Sequence, residues 1–443
     1  MATTYLTRTF ASGGNRKKWT YSVWFKRSKI GHSEDSMLFQ TYGSTYTYCP
    51  IQSDDTFRFQ DGSGGNKITN RKLTDCNAWY HIVVAIDTDH VTADDRYKIY
   101  INGVRETSFS TSTNPSSGYE GEWNKATLMN IGRHSGGSSY YDGLMSHIHF
   151  CDGYQYAASD FGSTDATTGE WKMNTSPSVS YGTTGFTILK DGNTITDQSA
   201  NSNNWTLGAG TLTNTEDCPS DVFCTLNSLY PNTATITNGN TQMQNTSGNS
   251  SVTGTICPNK GKYYWEVKLV SGQSGYPRIG IFKMDGSSNH AMTTYLCAGG
   301  DGSARAWGSG SGTNSIFNGA NSASAFASYT NGSILQFAMD LDNGKVWFGK
   351  DNTWYTNSSS TCTIADIANN TATPAFADLG TGVNWTPAIF GNTNADVWAA
   401  NFGNGYFGTT AISSEGTNAS GIGKFEYDVP TGFTAISTKG LNS

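Results

Sequence analysis

The sequence predicts an all-β protein built from two antiparallel β-sandwich domains joined by a strand-poor connector, and three observations carry this. Aromatic residues make up 13% of the 443 residues and run along the whole length, while charged residues are only 14%, below the ~25% of ordinary soluble domains. There are 51 glycines, and Ser, Thr and Asn fill much of the remainder; large rings with abundant turn formers suit many short strands and tight turns. Apolar runs of strand length recur, with no convincing amphipathic helix between them. A disordered chain would have few rings and many charges. The length suffices for two or three domains, each with its own core.

The first domain is expected over residues 1–155. Residues 19–27 alternate, with Trp19, Tyr21 and Val23 on one face. Two shorter strands follow at 37–42 and from Phe57. Residues 79–87, WYHIVVAID, form a continuous apolar run rich in β-branched residues, which reads as a buried strand. Tyr97, Ile99 and Ile101 alternate up to Asn102-Gly103, the strongest short hairpin signal. Strands at 128–133 and 141–150 close the series. Repeated strands with turns between them argue for a sandwich. The phrases WYHIV, YING, IGR and YDGLMS, in that order, resemble the laminin-G-like, concanavalin A-like jelly roll, and the resemblance covers residues 1–155.

Residues 156–232 are polar with a few apolar anchors, too poor in strands for a core of their own. Three phrases stand in order: DFG…TTGEW at 160–171, NNWT at 203–206, and P…F.TLN at 219–227. Together they resemble a connector that follows a lectin-like domain in appendage proteins of marine (cyanophage- or pelagiphage-like) bacteriophages.

The second domain, 233–443, is again β. Tyr263, Trp265, Val267 and Leu269 alternate against Tyr264, Glu266 and Lys268, so one face of that strand is expected to be wettable. A hairpin is expected on Asp342-Asn343-Gly344. YYWEV, RIGIF, F.MDLDNGKVWFGK, WTPAI and ANFG resemble the SPRY sandwich over 233–410. The tail from Phe425 resembles the closing phrase of the same phage proteins, with Ile436 where Leu is usual and Gly440 where Asn is usual. No fixed-period repeat is present.

Several function classes are set aside. The net charge is −7 and no basic run exceeds Arg16-Lys17-Lys18, so no stripe exists to neutralise nucleic-acid phosphates. No apolar run is long enough to cross a membrane as a helix. The N-terminus lacks the apolar core of a signal peptide, so folding in the cytoplasm of the producing cell is expected. Eight scattered cysteines, none in a C-x-x-C pair, are expected as buried free thiols rather than a zinc site or a disulfide framework.

Few residues suggest chemistry. Glu120 and Glu122 form a carboxylate pair of the kind glycosidases use, but Gly118, Gly121 and Asn124 around it suggest a solvated loop. His81 reads as a hydrogen-bonded core residue. His147 and His149 share a face, without an assigned third metal ligand. Asp87, Asp89, Asp94 and Asp95, around His90, are candidate oxygen donors for Ca2+, a cation that laminin-G-like sandwiches often bind at a loop rim. The glycine-rich stretch 299–312 lacks the ending of a phosphate cradle and reads as a flexible surface loop around Trp307. The remaining signal is aromatic rings expected in loops: Tyr119, Trp123, Tyr140 and Tyr141 in the first domain, and Trp307, Trp354 and Tyr355 in the second. Each could stack on a sugar, though packing competes with that role.

These resemblances imply a non-enzymatic phage virion protein, a tail fibre or appendage that recognises a host-surface glycan or receptor, with capsid decoration or head fibre as the alternative position. Its partners would be other virion proteins and further copies of itself; trimers are usual in fibres, although no heptad repeat is present. A glycan-degrading enzyme of the concanavalin A-like class is the rival, and would need a carboxylate pair facing a groove. A cellular adhesion protein would normally carry a secretion signal.

Overall fold

A computed structural model of the chain describes residues 3–442 except 43–46, 191, 230–232, 247, 273–276, 285–302, 311–312, 319, 325 and 393–395. It divides into two compact units, residues 1–214 and 215–443, each with antiparallel sheets.

In the first unit an eight-stranded sheet runs Phe109–Thr113, Gly65–Lys72, Thr56–Asp61, Thr47–Ile51, Ser36–Thr41, Leu128–Ile131, Tyr5–Thr9, Thr206–Ala209. A six-stranded sheet runs Phe186–Ile188, Gly143–Asp152, Lys18–Arg27, Trp79–Asp87, Tyr97–Ile101, Val104–Arg105. The main core holds Trp19, Phe39, Phe59, Trp123 and Phe150, whose rings meet one another. Trp19, Tyr21 and Val23 lie in that core, as their alternation requires. The Asn102-Gly103 turn has φ of 48° and 80°, the left-handed conformation a two-residue hairpin demands.

The segment expected as a connector is divided between the units. Phe186–Ile188 pairs with Gly143–Asp152, and Thr206–Ala209 pairs with Tyr5–Thr9. Trp205 is buried against Phe39 and Phe186. Phe161 and Trp171 pack on the outer face of the six-stranded sheet, with Val83, Ala85 and Cys151. Phe223, Cys224 and Leu226 are buried in the second unit. Short strands with single apolar anchors need a neighbour's sheet, so this stretch completes two sandwiches rather than spacing them.

The second unit has a nine-stranded sheet in which Lys262–Ser271 lies between Ile334–Asp340 and Val397–Asn401, and a six-stranded sheet centred on Trp385–Gly391, Arg278–Lys283 and Ala304–Gly310. The Asp342–Gly344 hairpin forms, and Asp340 accepts the amides of Asp342 and Asn343 at 3.1 and 3.0 Å. Two expectations are corrected. Residues 304–310 of the stretch read as a surface loop are a strand, and Trp307 is fully buried; residues 299–302 and 311–312 lie outside the described residues. The face of Tyr264 and Glu266 is not wettable: both are fully buried, because Phe425, Val429 and Phe433 of the C-terminal segment pack there with Trp347 and Trp354.

Candidate functional site

In the first unit, strand register builds a polar row across the outer face of the eight-stranded sheet. Thr113 opposes Asn66, Asn66 opposes Gln60, Gln60 opposes Tyr48, and Tyr48 opposes Gln40. Gln40 opposes Asn130, Asn130 opposes Thr7, and Thr7 opposes Thr206. Directly paired residues point to the same side of a sheet. Their neighbours Phe59, Cys49, Phe39, Met129, Ile131 and Leu6 point the other way, into the core. Eight strands thus each place one polar or hydroxyl-bearing side chain in a single line.

Arginines and rings flank the row. Arg58, two residues before Gln60, donates from Nε to Asn66 Oδ1 at 3.0 Å and from Nη2 to Gln60, and its guanidinium lies 5.1 Å from the Tyr48 ring centre. At the other end Tyr5, two residues before Thr7, carries the Arg133 guanidinium 3.6 Å over its ring, with the Tyr140 ring 6.2 Å away. The 132–141 loop folds onto this end, where the Ser135 amide donates to Gln40 Oε1 at 2.6 Å. Asn130 is fully buried, and neither its Nδ2 nor its Oδ1 has a hydrogen-bond partner among the described residues; the same holds for Arg133 Nε. An enclosed, unmatched amide is costly, about 1–3 kcal/mol for each unsatisfied group. Such a group calls for a partner, which a bound water or another molecule supplies.

Of the seven candidate rings, only Tyr140 belongs to this face. Trp123 is buried in the core and donates to Gln60 O at 3.4 Å. Tyr141 is buried, its hydroxyl donating to Lys26 O at 2.7 Å. Tyr119 is half-buried and donates to Asp61 O at 3.2 Å. Trp307 donates to Ala327 O at 2.8 Å within its core, and Trp354 is buried beside Tyr264. Tyr355 is half-buried, packed on Trp307 and Phe326. The loop placement of Trp307, Trp354 and Tyr355 is therefore corrected, since all three lie in strands; Trp123 does lie in a turn but is buried, so glycine-rich sequence around a large ring marks close packing against it as readily as exposure. Composition alone missed the row, because its members sit singly on strands far apart in sequence.

The four aspartates do not converge on one point. Asp87 pairs with Lys18 at 2.6 Å and Asp89 with Lys17 at 3.6 Å. Asp94 accepts from Asn114 at 2.6 Å, and Asp95 pairs with Arg105 at 2.7 Å. Among the described residues no cluster of three or more His, Cys, Asp or Glu is arranged to hold a metal ion. The seven described cysteines are free thiols; Cys297 lies outside the described residues.

His81 accepts the Trp171 indole proton on Nδ1 at 3.0 Å and contacts Ser22 Oγ through Nε2 at 2.8 Å. Indole N–H only donates, so Nδ1 is unprotonated and Nε2–H donates to Ser22. The Trp24 ring stacks on it, the Trp171 ring lies nearly parallel with its centre 6.0 Å away, and burial pushes its pKa down to about 3. It is a neutral, fully used core histidine. His149 Nδ1 meets the Tyr181 hydroxyl at 2.9 Å, and burial holds its pKa well below the ordinary value. His147 Nδ1 meets Ser146 Oγ at 2.7 Å.

Glu120 and Glu122 both lie against Arg16, at 3.3 and 3.5 Å, and Glu122 also meets Lys125 at 3.1 Å. Asp61 lies beneath them, fully buried, accepting the Glu122 amide at 2.8 Å and the Tyr97 hydroxyl at 3.0 Å. Burial raises its pKa to about 6, although both hydrogen bonds pull the other way. Gly121 closes over it so tightly that a Cβ there would sit 2.0 Å from Asp61 Oδ2, so this carboxyl holds the loop and cannot meet a substrate.

Comparison with known proteins agrees with this architecture for the first unit. Residues 2–160 match the family described as the concanavalin A-like lectin/glucanases superfamily. Among solved structures the chain is similar to the SPRY domain of human HERC1, at 13% identity, covering 40% of this chain and 96% of that one with a TM-score of 0.30. It is likewise similar to the PSpry domain of TRIM65, at 13% identity, covering 40% and 91% with a TM-score of 0.29. No curated protein matches the chain significantly.

Proposed function

We propose that this chain is a non-enzymatic structural protein of a bacteriophage particle, a tail fibre or similar appendage, whose first unit binds a host-surface glycan through the polar row of its eight-stranded sheet. The observation that carries the binding role is the row itself. Amides and hydroxyls aligned over eight strands, with Tyr48 among them and Tyr5 beside them, provide the donors, acceptors and ring faces that an extended saccharide requires. Many shallow contacts of this kind gain strength when several copies act together, which suits a repeated appendage. The phage origin is supported by the three ordered connector phrases and the closing phrase of the tail. A position on the capsid is the alternative within this reading.

The rival reading, a glycan-degrading enzyme, needs two carboxyls open to a groove. Glu120 and Glu122 are engaged by Arg16, and Asp61 is enclosed, which favours binding over catalysis. Two measurements test the proposal. Cryo-EM of the parent particle should place the chain at or projecting from the tail; density flat on the capsid selects the decoration alternative, and absence from particles overturns the virion reading. Incubation with oligosaccharides should give binding without release of reducing ends; sustained hydrolysis would overturn the non-enzymatic assignment.

A further inference from the structure

Because it rests on reading the polar row as the glycan surface, this inference deepens the proposal above: we infer that the row selects an acidic saccharide, one bearing carboxylate or sulfate groups, with Arg58 and Arg133 as its two cation contacts and Asn130 as the buried amide that reads a donor–acceptor pair on the sugar between them.

Three observations carry it. First, both guanidiniums lie on the same face of the sheet. Arg58 stacks on Tyr48, two strands from Ser36–Thr41, and Arg133 stacks on Tyr5, beyond Leu128–Ile131. Second, neither meets a carboxylate within ion-pair distance among the described residues. Arg58 is held only by neutral amides, Asn66 and Gln60, which orient a fork without neutralising it. In the same unit Arg27, Arg71 and Arg105 pair with Asp55, Glu106 and Asp95, while Arg8 and Arg96 are, like Arg58, held by neutral oxygens; what sets Arg58 and Arg133 apart is that each stacks on a ring of the polar face. In a chain of net charge −7, two such guanidiniums give this polar face two separate positive points, four strands apart, each able to meet an anion. A planar fork is the group that binds carboxylate or sulfate through two parallel hydrogen bonds.

Third, the unspent groups lie between them. Asn130 offers two N–H donors and one carbonyl acceptor, all enclosed and unmatched, and Arg133 Nε is likewise enclosed and unmatched. Gln60 and Asn130 are three strands apart, about 14 Å, a span that an oligosaccharide covers and a single sugar does not. The Gln40 carbonyl is taken by Ser135. Access to Asn130 therefore requires the 132–141 loop to shift, and Gly132 and Gly137, at φ of 85° and 82°, give it the backbone freedom to do so.

The test is titration calorimetry of the full chain against three oligosaccharide sets of equal length: neutral, uronic-acid-containing and sulfated. Binding to at least one acidic set is expected, weakening as NaCl is raised. Arg58→Gln and Arg133→Gln should each weaken it about ten- to hundredfold, the loss of one charge-assisted contact. Asn130→Ala should weaken it while removing the preference among acidic sugars. The two acidic sets distinguish carboxylate from sulfate as the anion. If neutral sugars bind as well as acidic ones, and Arg58→Gln and Arg133→Gln leave binding unchanged while Tyr48→Ala abolishes it, the polar row remains the glycan surface but the acidic selection is overturned. If no substitution on the face alters binding, both are overturned. Salt dependence of the wild-type protein provides a reading even if a variant fails to fold.

Discussion

Glu266 offers the sharpest physical test of how the second unit is closed. Its carboxylate is fully buried on the sheet face beneath the C-terminal segment. Oε1 accepts the Tyr264 hydroxyl and the Tyr427 amide, both at 2.8 Å; Oε2 accepts the Glu426 amide at 2.9 Å and Asn401 Nδ2 at 3.2 Å. Replacing Glu266 by Ala strands two backbone amides, at about 1–3 kcal/mol each, and opens a cavity, so a loss of about 3–5 kcal/mol is expected. The pH dependence is more specific. Burial raises the pKa from 4.5 to about 7, against the pull of the four donors. The folded state therefore holds an extra proton between those values, and stability falls as pH rises through that window. At about 1.4 kcal/mol per pH unit, the change is about 3 kcal/mol. Glu266→Gln does not titrate, so the difference between wild type and this variant isolates the effect. Urea unfolding at pH 5 and pH 8, followed by hydrogen exchange of peptides from 215–443, reads this unit separately from the first. A wild-type advantage over the Gln variant that is flat, or that grows with pH, would refute the reasoning.

Two further outcomes are expected in the first unit. Trp205→Ala should lower its stability by about 3–5 kcal/mol and make residues 182–214 susceptible to limited proteolysis, because that ring ties the segment to the core; unchanged protease resistance would show that the segment is held by its strand pairing alone. His81, with a pKa depressed from 6.5 to about 3, contributes stability above pH 6.5 that is lost as pH falls toward 3. Calorimetry of wild type against His81→Asn should show the melting temperatures converging on acidification, the opposite sense to Glu266.

The strands were legible because period-two alternation and the Asn102-Gly103 turn are local signals. Trp19, Tyr21 and Val23 could be assigned to one face from spacing alone. What escaped depends on contacts distant in sequence. Phe186–Ile188 and Thr206–Ala209 are three and four residues long, too short to announce themselves without the sheets they extend. Tyr264 and Glu266 alternate as a wet face would, and only the arrival of Phe425 and Phe433 from a remote segment turns that face inward. The polar row is harder still, since each member is one unremarkable polar residue and only the pairing register aligns them.

That register has an evolutionary consequence. Each position of the row belongs to a different strand and turns away from the main core, so those that are not enclosed, unlike Gln40 and Asn130, can be exchanged with little change to packing. The sheet thus resembles a printed array on a fixed frame, whose exposed elements can be changed one at a time without disturbing the fold. A one-residue slip of any strand would carry its polar member into the core and a core residue onto the surface. The requirement to fold therefore keeps the array aligned whichever side chains its exposed positions carry.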